Sequence, residues 1–266
     1  MALITFDRIA KSFRGKALWE DVSAEVPRQA RIGLLGSAAC GKTTLLRVLA
    51  GREMPERGRV LRARHLRVGW PTAAAFRGSE AGLTVHAYCL EAFARLQAQE
   101  RELTRLEQDL ADPHRAADLL PRYGPLQEEF EGQGGYQYRG RVDRMLDGLG
   151  LVASDADRRL GDLQGPDRMR ARLARVLLED PDLLLLDGPG RLLSAEQGEW
   201  LADWLREWPG AWVIAAPFGP ALGGDVECIW KLGAPGFEVE STGGMTGATL
   251  DRSLRWVAGS TPVRRL

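Results

Sequence analysis

An α/β fold built on a largely parallel sheet is the class this sequence predicts, and three observations predict it. Residues 31–35 are a short apolar run that leads into a glycine loop and then into a helical stretch over residues 43–50, closed by Gly51. That is the strand–loop–helix order of a parallel α/β unit. Residues 182–187 set four leucines between two aspartates, the pattern of a strand buried on both faces. Residues 211–216 form another apolar run behind an amphipathic stretch over residues 195–208, so helix and strand alternate again.

Taken in order, residues 2–27 alternate short apolar runs with turns, as an antiparallel β-subdomain does. Residues 66–70 are a second strand candidate. From about Val85 to Gly135 the character changes. Leu96, Leu103 and Leu110 recur every seven residues, with Leu106 between them and Glu, Gln and Arg elsewhere, which predicts an amphipathic helix with coiled-coil spacing. Asp112 and Pro113 stop it, a shorter helical stretch with several breaks follows, and the glycines of residues 132–135 end the segment. Two readings stand here: a surface helical hairpin in a larger domain, or a protruding arm that touches a partner. Residues 168–178 are helical. Beyond about Glu240 the chain is rich in Gly and Thr, with one weak helix near residues 250–257. The expected organisation is one domain over residues 1–240, with a helical insertion at about 85–135, and a tail over 241–266. No internal repeat is present.

The bulk numbers suit that organisation. Of 266 residues, 44% are hydrophobic and 27% charged, which fits a globular fold and excludes wholesale disorder. Net charge is zero, so no long-range field draws the chain to nucleic acid or membrane, although a local basic face is compatible with that balance. Only Lys11, Lys16, Lys42 and Lys231 are lysines against 32 arginines, which makes each lysine informative. Cys40, Cys89 and Cys228 are odd in number and include no C-x-x-C pair, so neither a disulfide framework nor a zinc site is expected. The N-terminus lacks a signal-peptide layout and no apolar run is long enough to span a bilayer. A soluble cytoplasmic protein is expected.

Residues 36–44 read GSAACGKTT and fit G-x-x-x-x-G-K-[ST]. The strand before and the helix after supply the context this motif needs, and they make the expected fold that of a P-loop NTPase. Its glycines let backbone N–H groups turn inward around phosphate oxygens, and the helix N-terminus adds positive potential. Gly36, Ser37, Ala38, Ala39, Cys40, Gly41 and Thr44 would form the cradle, Lys42 would reach the β- and γ-phosphates, and the Thr43 hydroxyl would hold Mg2+. Cys40 reads as a spacer in that loop. Asp187, at the end of the leucine strand, is placed to hold the same metal, as a Walker B Asp does. A nucleoside triphosphate with Mg2+ is therefore the expected ligand.

Over residues 3–240 the chain resembles an ATP-binding cassette (ABC) domain, and within those the ABC-F class of ribosome-associated factors. The stretches that carry the resemblance are residues 13–23 (FRGKALWEDVS), 31–36 with the phosphate loop, 96–138 with RYGPLQEEF and GGY, 168–178 (RMRARLARVLL) and 181–187. In that class a helical arm lies between the phosphate loop and the signature motif, where this chain has its leucine heptads. The resemblance thus favours the arm reading. It also assigns Phe13 the aromatic position that stacks on adenine, against the alternative of a core Phe.

Five departures from the family pattern stand beside these matches. The signature, roughly Leu-Ser-Gly-Gly-Gln in the family, is residues 163–167 here, with Gln164 for the serine and Pro166, which has no N–H, for the second glycine. The catalytic Glu after the Walker B Asp is Gly188. The dimer-contacting Asp is Ser194, and the switch His is Pro217. The Gln expected after Trp70 has no counterpart, since residues 71–75 are PTAAA. No catalytic residue is therefore assigned. The expected protein binds ATP and Mg2+, lacks hydrolysis, and acts by nucleotide-linked binding to a partner, the ribosome or its RNA being what the class implies. The alternatives are an active ABC ATPase completed by a partner chain, as a translation or antibiotic-resistance factor, or a transporter subunit. The family commonly pairs two such domains, so a homodimer or a second ABC domain is the expected assembly.

Overall fold

A computed structural model describes residues 2–72, 74–112, 114–215, 226–233 and 236–241. The chain forms two compact units, Met1–Thr72 with Asp180–Leu266, and Ala73–Glu179. In chain order the first unit begins with β1 (Ala2–Phe13), β2 (Lys16–Pro27), β3 (Arg31–Gly36), α1 (Lys42–Leu49), β4 (Arg57–Arg62) and β5 (Val68–Gly69). The second unit holds α2 (Val85–Leu90), α3 (Ala94–Leu110), α4 (Ala116–Gly132), α5 (Tyr138–Gly148), α6 (Ala153–Ala156) and α7 (Gly165–Leu178). The first unit then resumes with β6 (Leu183–Asp187), α8 (Ala195–Glu207), β7 (Ala211–Ala215), β8 (Cys228–Leu232) and β9 (Phe237–Ser241).

Six strands of the first unit make one sheet in the order β5-β6-β7-β3-β8-β9. All its pairings are parallel except β8 with β9. The parallel strands are covered on both faces, which is why their sequences are unbroken apolar runs. Leu183, Leu184 and Leu185 are fully buried, as are Val213 and Ile214. The core gathers Leu34, Leu183, Leu185 and Val213 with Leu45, Leu46 and Leu49 of α1 and with Phe6 and Trp19 of the second sheet. Each such side chain stabilises the fold by roughly 1.5–3 kcal/mol relative to exposure.

The second sheet of this unit is antiparallel, in the order β2-β1-β4. Its hairpin turns at Arg14 and Gly15, both at positive φ. Strand β4 was not anticipated from sequence. Its residues, RGRVLR, are mostly exposed, because an edge strand buries little and so lacks an apolar alternation.

In the second unit, α2, α5 and α7 pack together. Helices α3 and α4 lie antiparallel against each other, as their rungs show: Arg115 to Asp109, Arg122 to Glu102 and Arg95 to Glu129. The heptad leucines Leu96 and Leu103, with Leu106, are buried. A broken helix was expected after Asp112; the structure has one continuous helix, α4, in spite of Pro121 and Pro125. Each proline removes one backbone hydrogen bond, and burial of Leu119 and Phe130 holds the helix through both. Among the described residues no helix is long and apolar enough to cross a membrane. The expected weak helix near 250–257, the rest of the tail beyond Ser241 and Pro217 lie outside the described residues.

Candidate functional site

The phosphate loop joins the C-terminal end of β3 to the N-terminus of α1, in the first unit. Ala39 and Gly41 both take left-handed backbone, at φ 60° and 99°, which folds the loop back over the helix start. Gly41 cannot be replaced freely. A Cβ there would lie 2.8 Å from Nε1 of Trp19 and 3.3 Å from Cβ of Leu18. The β1–β2 hairpin thus presses on the loop through a Trp that is fully buried and whose indole N–H has no hydrogen-bond partner among the described residues. Gly36 is closed in likewise, since a Cβ there would collide with Sγ of Cys40 and the carbonyl oxygen of Leu232. Cys40 is buried, a packing residue of the loop, as its reading as a spacer implies.

The Lys42 ammonium donates to the carbonyl oxygens of Gly36 and Ser37, 2.8 Å each, and lies 3.8 Å from Sγ of Cys40. It therefore spans the mouth of the loop. The neighbouring hydroxyl, Thr43 Oγ1, donates to Oδ2 of Asp187 at 2.6 Å. Strand β6 runs beside β7, and β7 beside β3, and this order carries Asp187 from 144 residues away to the start of α1. A hydroxyl and a carboxylate oxygen converging beside the phosphate loop are the hard-oxygen donor set that suits Mg2+. No acidic residue of α1 itself lies in its first turn, so the helix dipole there is offset by no carboxylate of its own.

Of the residues singled out from sequence, Gly36, Ser37, Ala38, Ala39, Cys40, Gly41, Lys42, Thr43, Thr44 and Asp187 come together here. Phe13 stands at the end of β1, on the hairpin that also carries Trp19, and is 62% exposed. That excludes the core-Phe alternative. The Arg14 guanidinium lies 5.4 Å from its ring centroid. Trp19 was missed, because nothing in the sequence ties residue 19 to residue 41.

The departures have local structures of their own. Gly188 is left-handed, at φ 65° and ψ 48°, and opens a single tight turn over Pro189–Arg191. Its N–H donates to the Ala215 carbonyl at 2.5 Å. Ser194 caps α8: its hydroxyl accepts from the Gln197 N–H, and the Gln197 side chain accepts from the Ser194 N–H. In the second unit, Gln164 caps α7 without a side-chain hydrogen bond, and Pro166 sits in the first turn. There a proline costs no helical hydrogen bond, and α7 therefore starts three residues before Arg168, where it was expected. The Asp167 carboxylate is held by Arg158 at 3.2 Å and by Arg170.

Comparison with known proteins bears on all of this. The profile of the ABC transporter family matches residues 19–191. The tylosin resistance ATP-binding protein TlrC of Streptomyces fradiae is 36% identical over 73% of this chain and 36% of its own length. ABC transporter F family member 5 of Arabidopsis thaliana is 31% identical over 74% and 29%. The energy-dependent translational throttle protein EttA of Mycobacterium tuberculosis is 28% identical over 79% and 37%. The chain spans less than half the length of these curated relatives. A solved ATP-binding subunit of an ABC transporter superposes with a TM-score of 0.67 over 96% of this chain and 99% of that one, at 14% identity, which establishes the fold. The chain is an α/β P-loop protein with an antiparallel β-subdomain, and it belongs to the ABC transporter family as an ATP-binding domain.

Proposed function

We propose that this chain is an ABC-F-type domain that binds ATP with Mg2+, hydrolyses it at or near background, and uses nucleotide-linked binding to engage the ribosome. The observation that carries the first part is the Thr43–Asp187 pair at 2.6 Å beside the Lys42 ammonium. In this reading Lys42 and the loop amides hold the phosphates, Thr43 and Asp187 hold the metal, and Phe13 stacks on adenine. The metal would neutralise phosphate charge. An exposed ring at a hairpin end, with an arginine beside it, suits a base.

Loss of hydrolysis is supported by Gly188, which puts no side chain where an attacking water would need a base, and by the absence of any carboxylate between Asp187 and Glu196 in the sequence. A positioned general base is worth roughly 10²–10⁴ in rate. Gln164, Pro166, Ser194, Pro217 and the missing Gln after Trp70 point the same way. Such effects do not multiply, but one full loss takes a typical turnover of about 10 s⁻¹ to about 0.1 s⁻¹ or below. This degenerate site is why the ABC-F resemblance is read as binding, with no catalytic residue assigned.

Engagement of a partner is assigned to the α3–α4 hairpin, within the 85–135 segment, as an arm on a cassette domain over about residues 1–240. Its support is its place between phosphate loop and signature, together with relatives named for the F family and for translational throttling. A cytoplasmic setting and pairing with a second cassette or a second copy belong to the same proposal. Co-sedimentation with ribosomes, with and without ATP·Mg2+, tests it. Nucleotide-dependent pelleting that Lys42→Ala abolishes is the expected result, and pelleting indifferent to nucleotide would refute it.

A further inference from the structure

The three-stranded sheet carries its charge unevenly. Between residues 47 and 67 the chain has seven arginines against two carboxylates, Glu53 and Glu56, a surplus of five in a chain of zero net charge. Both carboxylates are already engaged. Glu53 pairs with Lys11 at 2.9 Å, and Glu56 accepts from the Ser12 hydroxyl at 2.9 Å, a bond that holds its carboxyl below the usual range. Of the exposed carboxylates of this sheet, Glu20, Asp21 and Glu25 lie on β2, the opposite edge, and Asp7 lies on β1, in register with Arg59. Strand β4 is thus a basic edge in which Arg57 and Arg59 are both exposed, and Arg64 and His65 follow it, also exposed.

An exposed edge strand invites either another strand or a charged partner, and the geometry separates these. The pairing of β1 with β4 shifts register between Asp7 and Ala10. Gly58 sits there at φ 82°, where a Cβ would collide with the Arg8 backbone. A bulged, charged edge is blunted against strand addition. What stays available is a row of guanidinium groups. Arg57 and Arg59 flank Gly58 and are both exposed, and Leu61 follows them, 66% exposed. Planar guanidiniums bind phosphate oxygens in pairs.

We propose that the β4 edge and the turn after it, through Arg57, Arg59 and Arg64, form a docking surface for the phosphate backbone of RNA, separate from the α3–α4 hairpin and from the nucleotide site. The inference extends the ribosome reading to a second surface, and it is tested first without ribosomes. A short labelled RNA of mixed sequence is titrated with the purified chain at several salt concentrations. Three or four phosphate contacts predict a log–log salt slope of about −2 to −3, at roughly 0.7 per phosphate of a single strand. Arg57→Glu/Arg59→Glu/Arg64→Glu should weaken binding at least about tenfold and flatten the slope by about 2. Arg57→Gln/Arg59→Gln/Arg64→Gln guards against a folding defect and should flatten the slope equally. Both variants should keep the wild-type ATP·Mg2+ response.

Unchanged RNA affinity and slope in both variants would overturn the proposal, as would preference for an acidic polypeptide over RNA through the same arginines. Ribosome pelleting run in parallel separates the two readings. If the wild type pellets with ribosomes and the variants lose neither pelleting nor RNA binding, the surface is refuted and the ribosome reading stands. If the wild type binds RNA through these arginines and does not pellet, the reverse holds.

Discussion

The Thr43 hydroxyl donates to the Asp187 carboxylate across 2.6 Å, joining the first turn of α1 to the end of β6. A metal that takes both oxygens as ligands must open this bond. Thr43→Val and Asp187→Asn should therefore remove the Mg2+ dependence of ATP binding. The direct cost in stability stays at or below about 1 kcal/mol, because the bond is solvent-exposed. With Lys42 intact, at a ligand concentration of about 100 Kd, ATP·Mg2+ should add about 2.7 kcal/mol and raise Tm by roughly 5–10 °C. Lys42→Ala should lose that shift. A thermal melt with and without metal checks all three variants, and equal shifts in wild type and Lys42→Ala would contradict the assignment.

Gly41 and Trp19 make a second, purely steric prediction. Gly41→Ala places a Cβ against the indole N–H and forces a left-handed alanine. The left-handed conformation alone costs about 1–2 kcal/mol, and the contact adds to it. A loss of about 3 kcal/mol in urea unfolding is expected, with ATP binding weakened more than the stability change explains. Gly15→Ala is the control. Gly15 is also left-handed, at φ 76°, but meets nothing within 4 Å, so it should cost only the conformational part.

At the root of the helical hairpin, the Tyr138 hydroxyl donates to Glu100 at 2.6 Å and Arg139 pairs with the same oxygen at 2.7 Å. Burial and this bond push the Tyr138 phenol up to about 12. Burial works to raise Glu100, but the Tyr138 and Arg139 bonds outweigh it and leave its carboxyl below the usual range. The phenol is held in its neutral form in the folded state. Its contribution is present below the unfolded value near 10 and is lost as pH rises toward about 12. The Glu100 contribution is present at neutral pH and is lost as acid protonates the carboxylate. Tyr138→Phe should cost about 1 kcal/mol at neutral pH, discounted because Glu100 is partly exposed. The difference from wild type should vanish at both extremes of a stability–pH profile.

Replacing the α3–α4 hairpin by a short glycine linker should leave the ATP-induced melting shift in place and abolish partner binding. Helices α3 and α4 pack against each other within the hairpin, so much of what the deletion would expose is removed with it. A deletion variant that no longer melts cooperatively would show that the segment is core and that the arm reading is wrong.

How much of this was legible in the sequence follows from how local each feature is. The phosphate loop is contiguous and its residue types are dictated by phosphate geometry, so residues 36–44 stand out at once. Strands β3, β6 and β7 are buried on both faces and therefore read as apolar runs. The β4 edge buries little and was invisible for the same reason in reverse. The continuity of α4 through Pro121 and Pro125 comes from tertiary burial of Leu119 and Phe130, which local propensity does not encode. The Trp19–Gly41 contact joins a strand of the antiparallel sheet to the phosphate loop, and no local pattern announces it.

The proposed function requires a site that holds nucleotide and does not turn it over. Gly188 is left-handed, so Gly188→Glu adds a carboxylate in a backbone conformation that costs roughly 1 kcal/mol for a non-glycine residue, and it should restore little activity by itself. The most direct measurement is steady-state phosphate release from ATP·Mg2+ by the purified chain, alone and with ribosomes, in parallel with Lys42→Ala. Release at or near background in both, well below about 0.1 s⁻¹, is the predicted result. Turnover above that rate in the wild type that disappears in Lys42→Ala would show a working ATPase and would contradict the account.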